Sequence, residues 1–394
     1  MRPLFLAALF GLAAGAVHAD PPDRLEAFGE ALFFDINLSA NRTQSCATCH
    51  DPAAGFADPR ETGLGRAVSL GDDGHSLGDR NAPTATYAAL VPGLHRTKDG
   101  VWVGGLFWDG RAATLEDQAG GPPLNPIEMG MRDKAAVVAR LVENPDYVSA
   151  MRGLFGDTVF DDTDAAYAAM TSAIAAFERT EIFAPFDSKY DRFLKGEYQL
   201  TQNEELGRLL FFSEQFSNCN QCHKLKRSEI DPGETFTNHE YHNVGVPTHT
   251  AVRAHNGVPA DLADAGLLAN PTIDDPAQEG KFRVPTLRNV AVTGPYMHNG
   301  VFEDLRTVVL FYNKYNTKAA ARQVNPETGA PWRDPEVAPT LSIKELTDAP
   351  ALDDQRIDAL VAFLKTLTDA QYEHLVEPEE SMQCGSACQS PPQQ

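Results

Sequence analysis

The stretch "SCATCHDP" (45–52) puts Cys46, Cys49 and His50 into one short turn, and "NCNQCHKL" (218–225) repeats the pattern with Cys219, Cys222 and His223. A CxxC pair can be a disulfide, a redox dithiol, half of a zinc site or a haem attachment point. Two such pairs could also build one zinc site, but zinc gives no reason for a histidine directly after each pair. A c-type haem accounts for all three residues. Two cysteines one helical turn apart form thioethers to the porphyrin, and the next residue reaches the iron. The sequence therefore predicts two covalently bound c-type haems, with iron ligands His50 and His223.

The residues around the two motifs also match. "FGEALFFDINLSANRTQSCATCH" and "LGRLLFFSEQFSNCNQCH" each carry a glycine (Gly29, Gly207), a Leu-Phe-Phe run, a polar loop and CxxCH. Far downstream, Tyr167, Met170, Ile174 and Phe177 recur at helical spacing after the capping residues Asp161, Asp162 and Thr163. Ile357, Leu360, Val361, Leu364 and Leu367 do the same after "LDDQ". Each apolar stripe reads as the core face of a helix closing its own unit. The expected fold is mainly α: two cytochrome c-like haem domains from a duplicated helical unit, with long ordered loops at 63–110 and 231–295. Strand signals are weak, and 179–197 reads as the junction.

The first residues, "MRPLFLAALFGLAAGAVHAD", have one basic side chain, a short apolar run and a small-residue site ending at Ala19. That is the pattern of a secretory signal peptide, with too few apolar residues to span a bilayer. Expected boundaries are 1–19 for the signal, 20–190 for an N-terminal haem domain, 191–378 for a C-terminal haem domain and 379–394 for a tail. Export predicts the periplasm. Cys384 and Cys388 in that tail read as a local disulfide. The formal net charge of −22 argues against nucleic acid and anionic lipid as partners and leaves room for a basic protein surface.

Electron transfer suits a haem with both axial positions filled, whereas peroxide chemistry needs one open position with an acid–base group beside it. "FWDGRAATLEDQAGGPPLNPIEMGM" offers Gln118 and Glu128 as polar groups among apolar ones. A carboxylate there can carry a proton from the near to the far oxygen of peroxide.

The blocks "FWDGRA", "QAGGPPLNPIEM", "FRVPTLRN" and "GPYMHNGVFEDL" resemble those of the bacterial di-haem cytochrome c peroxidase family. "SCATCHDPA", "PFDSKYDR", "LFYNKY" and "NPETGAPW" are similar to its methylamine-utilization branch, over residues 24 to 376. The resemblance implies that His50 serves a five-coordinate haem with Glu128 and Gln118 on its open side. Pro122 and Met129 would shape that pocket, and Trp108 would lie close to both haems. It implies a second haem on His223 whose sixth ligand is methionine in the standard peroxidases. At the matching place stands Tyr312, as in the methylamine-utilization branch. An oxygen donor favours higher oxidation states than a thioether does, so a His–Tyr haem is a poor ferrous relay and a store for an oxidising equivalent. Met297 in "PYMHNG" is the other candidate ligand.

The resemblance further implies a calcium ion held by Asn81 and the backbone oxygens of Thr293 and Pro295. His75, His239, His242 and His298 are spare candidates for haem contacts. Members of the branch carry a tryptophan where this chain has Ser217, preceded by Phe216, neither of which is readily oxidised. The leading expectation is a haem-dependent oxidoreductase that uses hydrogen peroxide to oxidise tryptophans of a partner. By the resemblance, the partner would be the precursor of methylamine dehydrogenase and the product completed tryptophan tryptophylquinone. The rivals are a peroxidase fed by a small electron-donor protein and a non-enzymatic electron carrier.

Overall fold

The computed structural model describes residues 24–224, 232–259 and 261–376. The expected signal at 1–19, the tail at 379–394 and the Cys384–Cys388 pair lie outside the described residues.

Both copies of the repeated unit are present as helix, loop and CxxCH turn. In the first, a helix over Leu25–Phe33 precedes the Cys46–Cys49 turn; in the second, Gln202–Phe212 precedes Cys219–Cys222. The closing helices span Thr163–Glu178 and Asp354–Lys365. Asp162 caps the first by accepting from the Ala165 amide and Asp353 caps the second by accepting from Arg356, so each start satisfies an otherwise unpaired donor. Leu367, expected on the second stripe, lies past the helix end but is fully buried.

The closing helices cross the opening ones at glycine. A Cβ on Gly29 would lie 1.8 Å from the Ala173 carbonyl oxygen, and one on Gly207 would lie 1.9 Å from that of Ala359. Only a residue without a side chain permits that approach. Packed around the first crossing are Phe28, Leu32, Phe33, Met170, Ile174 and Phe177; around the second are Leu210, Phe211, Leu360, Phe363 and Leu364. The Phe33 and Phe177 rings meet edge to face at 5.4 Å, and Phe211 and Phe363 meet at 5.2 Å. Each such buried side chain contributes about 1.5–3 kcal/mol.

The loops are ordered by few regular elements. Among the described residues, the paired strands are His95–Arg96 with Trp102–Val103 and Tyr241–His242 with Phe282–Arg283, and a bridge from Val103 to Glu240 ties the two long loops together. The junction 179–197 is structured: Lys189–Leu194 is a short helix with a Ser188/Asp191 capping box. The Arg288 guanidinium, fully buried, donates to both Asp191 oxygens at 2.5 and 2.9 Å. The Tyr87 hydroxyl donates to Asp369 at 2.6 Å, and Asn289 donates to the other Asp369 oxygen at 2.7 Å, joining the two halves. No helix among the described residues is long and apolar enough to cross a membrane.

Candidate haem sites

Each CxxCH turn opens into its own cavity. The first, of about 650 Å³, is lined by Cys46, Cys49 and His50 on one side and by Trp108, Gln118, Pro122, Glu128 and Met129 elsewhere. The second, of about 230 Å³, is lined by Cys219, Cys222, His223, Met297 and Tyr312. Trp108, Arg283, Asp264 and Met297 border both cavities. Among the described residues no three His, Cys, Asp or Glu gather closely enough to hold a metal ion, so the two CxxC pairs do not converge on one zinc site.

The histidines are oriented alike. His50 Nδ1 lies 3.2 Å from the Phe56 carbonyl oxygen and His223 Nδ1 lies 3.3 Å from that of Phe236. A carbonyl only accepts, so Nδ1 carries the hydrogen and Nε2 keeps the lone pair that a metal needs. Burial lowers the His50 pKa and brings that of His223 down to about 4, so both imidazoles are neutral at pH 7. Apolar walls, paired thiols and a neutral imidazole fit a haem in each cavity.

On the wall of the first cavity, Glu128 Oε1 accepts from Asn125 Nδ2 at 2.8 Å. Burial raises its pKa, while the charge of Arg111 and the Asn125 bond oppose the rise. Gln118 comes from the Leu115–Ala119 helix, capped by Thr114. The Trp108 indole donates to the Asn81 carbonyl at 2.8 Å. Asn81 Nδ2 donates to the Ala67 carbonyl at 3.1 Å, leaving Oδ1 for another partner. Thr293 and Pro295 line the same cavity as Asn81.

In the second cavity, burial raises the Tyr312 pKa, and the nearby Cys222 and Cys219 add to the rise. Met297 has a left-handed backbone, φ 72°. Of the spare histidines, His242 and His298 line this cavity, and the His298 ring stacks on Phe282 at 3.6 Å. His239 lines the first cavity with both ring nitrogens unpaired, whereas His75 is exposed and borders neither. Ser217 is buried and donates to the Leu210 carbonyl at 2.6 Å, while Phe216 is exposed under the Arg356 guanidinium at 5.8 Å.

Two features escaped the reading of the sequence. Arg80 bridges Asp264 at 2.7 Å and Asp109 at 2.8 Å at the cavity walls, an ion cluster between segments too distant in sequence for any local pattern to link. Glu178 lines the first cavity from the end of an apolar helix stripe.

The model of the di-haem cytochrome c peroxidase family matches residues 23–199. The chain is 55% identical over 379 residues to methylamine utilization protein MauG of Paracoccus denitrificans, covering 96% of this chain and 97% of that one. To cytochrome c peroxidase Ccp of Escherichia coli it is 34% identical, over 73% of this chain and 53% of the other. Among solved structures, the dihaem peroxidase BthA of Burkholderia thailandensis superposes with a TM-score of 0.79 at 34% identity, covering 92% of this chain and 90% of that one. With a family relative matched along nearly its whole length and a cavity behind each CxxCH turn, the chain is a haem-dependent oxidoreductase that takes two haems and belongs to the di-haem cytochrome c peroxidase family, among the MauG proteins.

Proposed function

We propose that the chain is a periplasmic di-haem c-type enzyme that uses hydrogen peroxide to oxidise tryptophans of the precursor of methylamine dehydrogenase, completing tryptophan tryptophylquinone. The observation that carries this reading is the likeness to the Paracoccus denitrificans protein over 96% of the chain, together with a tyrosine bordering the second cavity. Cys46 and Cys49 would hold one haem covalently and Cys219 and Cys222 the other, with His50, His223 and Tyr312 as the residues that would ligate iron. When bound, the haems supply the capacity to take two oxidising equivalents from one peroxide and to pass them on as single electrons are drawn in.

The remaining steps belong to the chain. Glu128 Oε2, the oxygen not held by Asn125, takes the proton of the near peroxide oxygen and returns it to the far one, making water the leaving group. The Gln118 amide orients the peroxide beside it. The Tyr312 phenol would supply an oxygen donor that disfavours the ferrous state. Trp108, bordering both cavities, is the oxidisable ring through which the two sites exchange electrons. Ser217 and Phe216 are not readily oxidised, which shifts this role toward Trp108. Asn81 and the Thr293 and Pro295 carbonyls would be the neutral oxygen ligands of a calcium ion.

The test mixes the haem-loaded protein and hydrogen peroxide with quinone-deficient methylamine dehydrogenase and follows quinone absorbance. Quinone should form in a peroxide-dependent way; no quinone with both haems present refutes the reading. The second reading, a peroxidase drawing electrons from a small redox protein, is favoured by the likeness to cytochrome c peroxidase Ccp. It requires rapid peroxide consumption with such a donor.

A further inference from the structure

The two halves of the fold permit a residue-by-residue comparison within one chain. Gly29 faces Ala173 and Phe177, as Gly207 faces Ala359 and Phe363. The register therefore pairs Ile174 with Leu360 and Glu178 with Leu364, and all four line their respective cavities. One haem cavity thus has leucine where the other has a carboxyl group. Glu178 is 5% exposed, and its Oε2 has no hydrogen-bond partner. An unpaired buried carboxyl is costly, and the second half shows that an apolar side chain satisfies the same packing.

We propose that Glu178 is a proton-holding group coupled to the haem at His50, taking up one proton when that iron gains one electron and releasing it when the electron leaves. In balance, Fe(III) plus one electron from a low-potential one-electron donor, of the class of a small redox protein, gives Fe(II) and the oxidised donor. The loss of one positive charge beside the carboxylate then draws one proton from water onto Oε2. The inference rests on the reading that the first cavity holds a haem.

The surroundings support this. Glu178 ends its helix beside Arg179, whose guanidinium pairs with Glu116 at 2.8 Å on the half-exposed surface. Glu116 sits on the short helix that carries Gln118, so a charged pair in contact with solvent caps the buried carboxyl at the open-side wall. Burial raises Glu178 to about 8, with Arg179 opposing and Glu116 reinforcing. Cys46 is the other ionisable neighbour and stops titrating once it is a thioether. Of the helices packed on that of Glu178, two bring apolar faces, Phe28, Leu32 and Phe33 from one and Val137 and Leu141 from the other, and Leu115–Ala119 brings Glu116 and Asp117; Glu128 and Arg111 line the same cavity.

The experiment is a spectroelectrochemical titration of the haem-loaded full chain, followed at the high-spin haem band between pH 6 and 9 around the value of about 8. In the native protein the potential should fall as pH rises, and this slope should vanish in both Glu178→Gln and Glu178→Leu. The leucine variant should fold because Leu364 fills the equivalent place. Infrared difference spectra of the native protein should show a protonated-carboxyl band that changes on reduction and is missing from Glu178→Gln. A flat native potential, an unchanged slope in the variants, or persistence of the band in Glu178→Gln overturns the inference while leaving the peroxide reading intact. A native chain that loads no haem overturns both.

Discussion

The α-carbon of Gly29 lies so close to the Ala173 carbonyl that an added Cβ would sit 1.8 Å from its oxygen. The clash is with helix backbone, which cannot rotate away. Gly29→Ala should therefore force the two helices apart and cost at least about 3 kcal/mol, at the upper end of overpacking penalties. Gly207→Ala should do the same in the second half. Thermal unfolding and haem content per chain measure this, and a variant as stable as the native protein refutes the close crossing.

Tyr312→Met should keep both haems, since neither the CxxCH turns nor His223 is altered, but should lose the capacity to hold an oxidising equivalent after one peroxide. Absorbance and electron paramagnetic resonance after stoichiometric peroxide measure it. Retention of that capacity assigns the iron to another donor, Met297 being the neighbour in the same cavity.

Glu128→Gln should slow the reaction with peroxide by about 10²–10⁴-fold, the range for losing a general base. Burial holds the Glu128 pKa above its ordinary 4.5, so the ionised base is lost as pH falls through a value higher than that of an exposed glutamate. The native rate constant should have an acid limb with its midpoint above 4.5, and the variant should lack it. Stopped-flow mixing across pH reads both.

Asp369 joins the halves through Tyr87 and Asn289, and burial raises it from 3.8 to about 6. The folded state holds the proton more tightly than the unfolded state. The Asp369 contribution to stability is therefore full below 3.8 and is lost as pH rises to about 6. At 1.36 kcal/mol per pH unit the loss is roughly 3 kcal/mol. The difference in unfolding free energy between the native protein and Asp369→Asn should decline across that window, and a constant difference excludes the effect.

Much of the architecture was legible in the residues. The repeated Gly, Leu-Phe-Phe and CxxCH order marks the duplicated unit, and the stripes over Tyr167–Phe177 and Ile357–Leu364 mark its closing helices, because helical spacing is a local property of the chain. Glu128 and Gln118 stood out as polar residues in an apolar stretch, but their placement facing His50 came from resemblance, not spacing. Glu178 passed unnoticed because a carboxylate at a helix end is ordinarily solvated. Nothing local signals that a neighbouring helix and a cysteine turn enclose it.

By itself, the sequence determined the chemistry available: two cysteine pairs each followed by histidine, and two helix stripes. These are encoded in short runs whose spacing fixes which side chains share a turn or a face. Only the tertiary structure decided that Trp108 borders both cavities, that Arg80 bridges Asp109 and Asp264, and that Glu178 and Leu364 hold matching places. Such relations depend on which helices cross and at what distance. That is set by close packing at Gly29 and Gly207, which no single stretch of the chain contains.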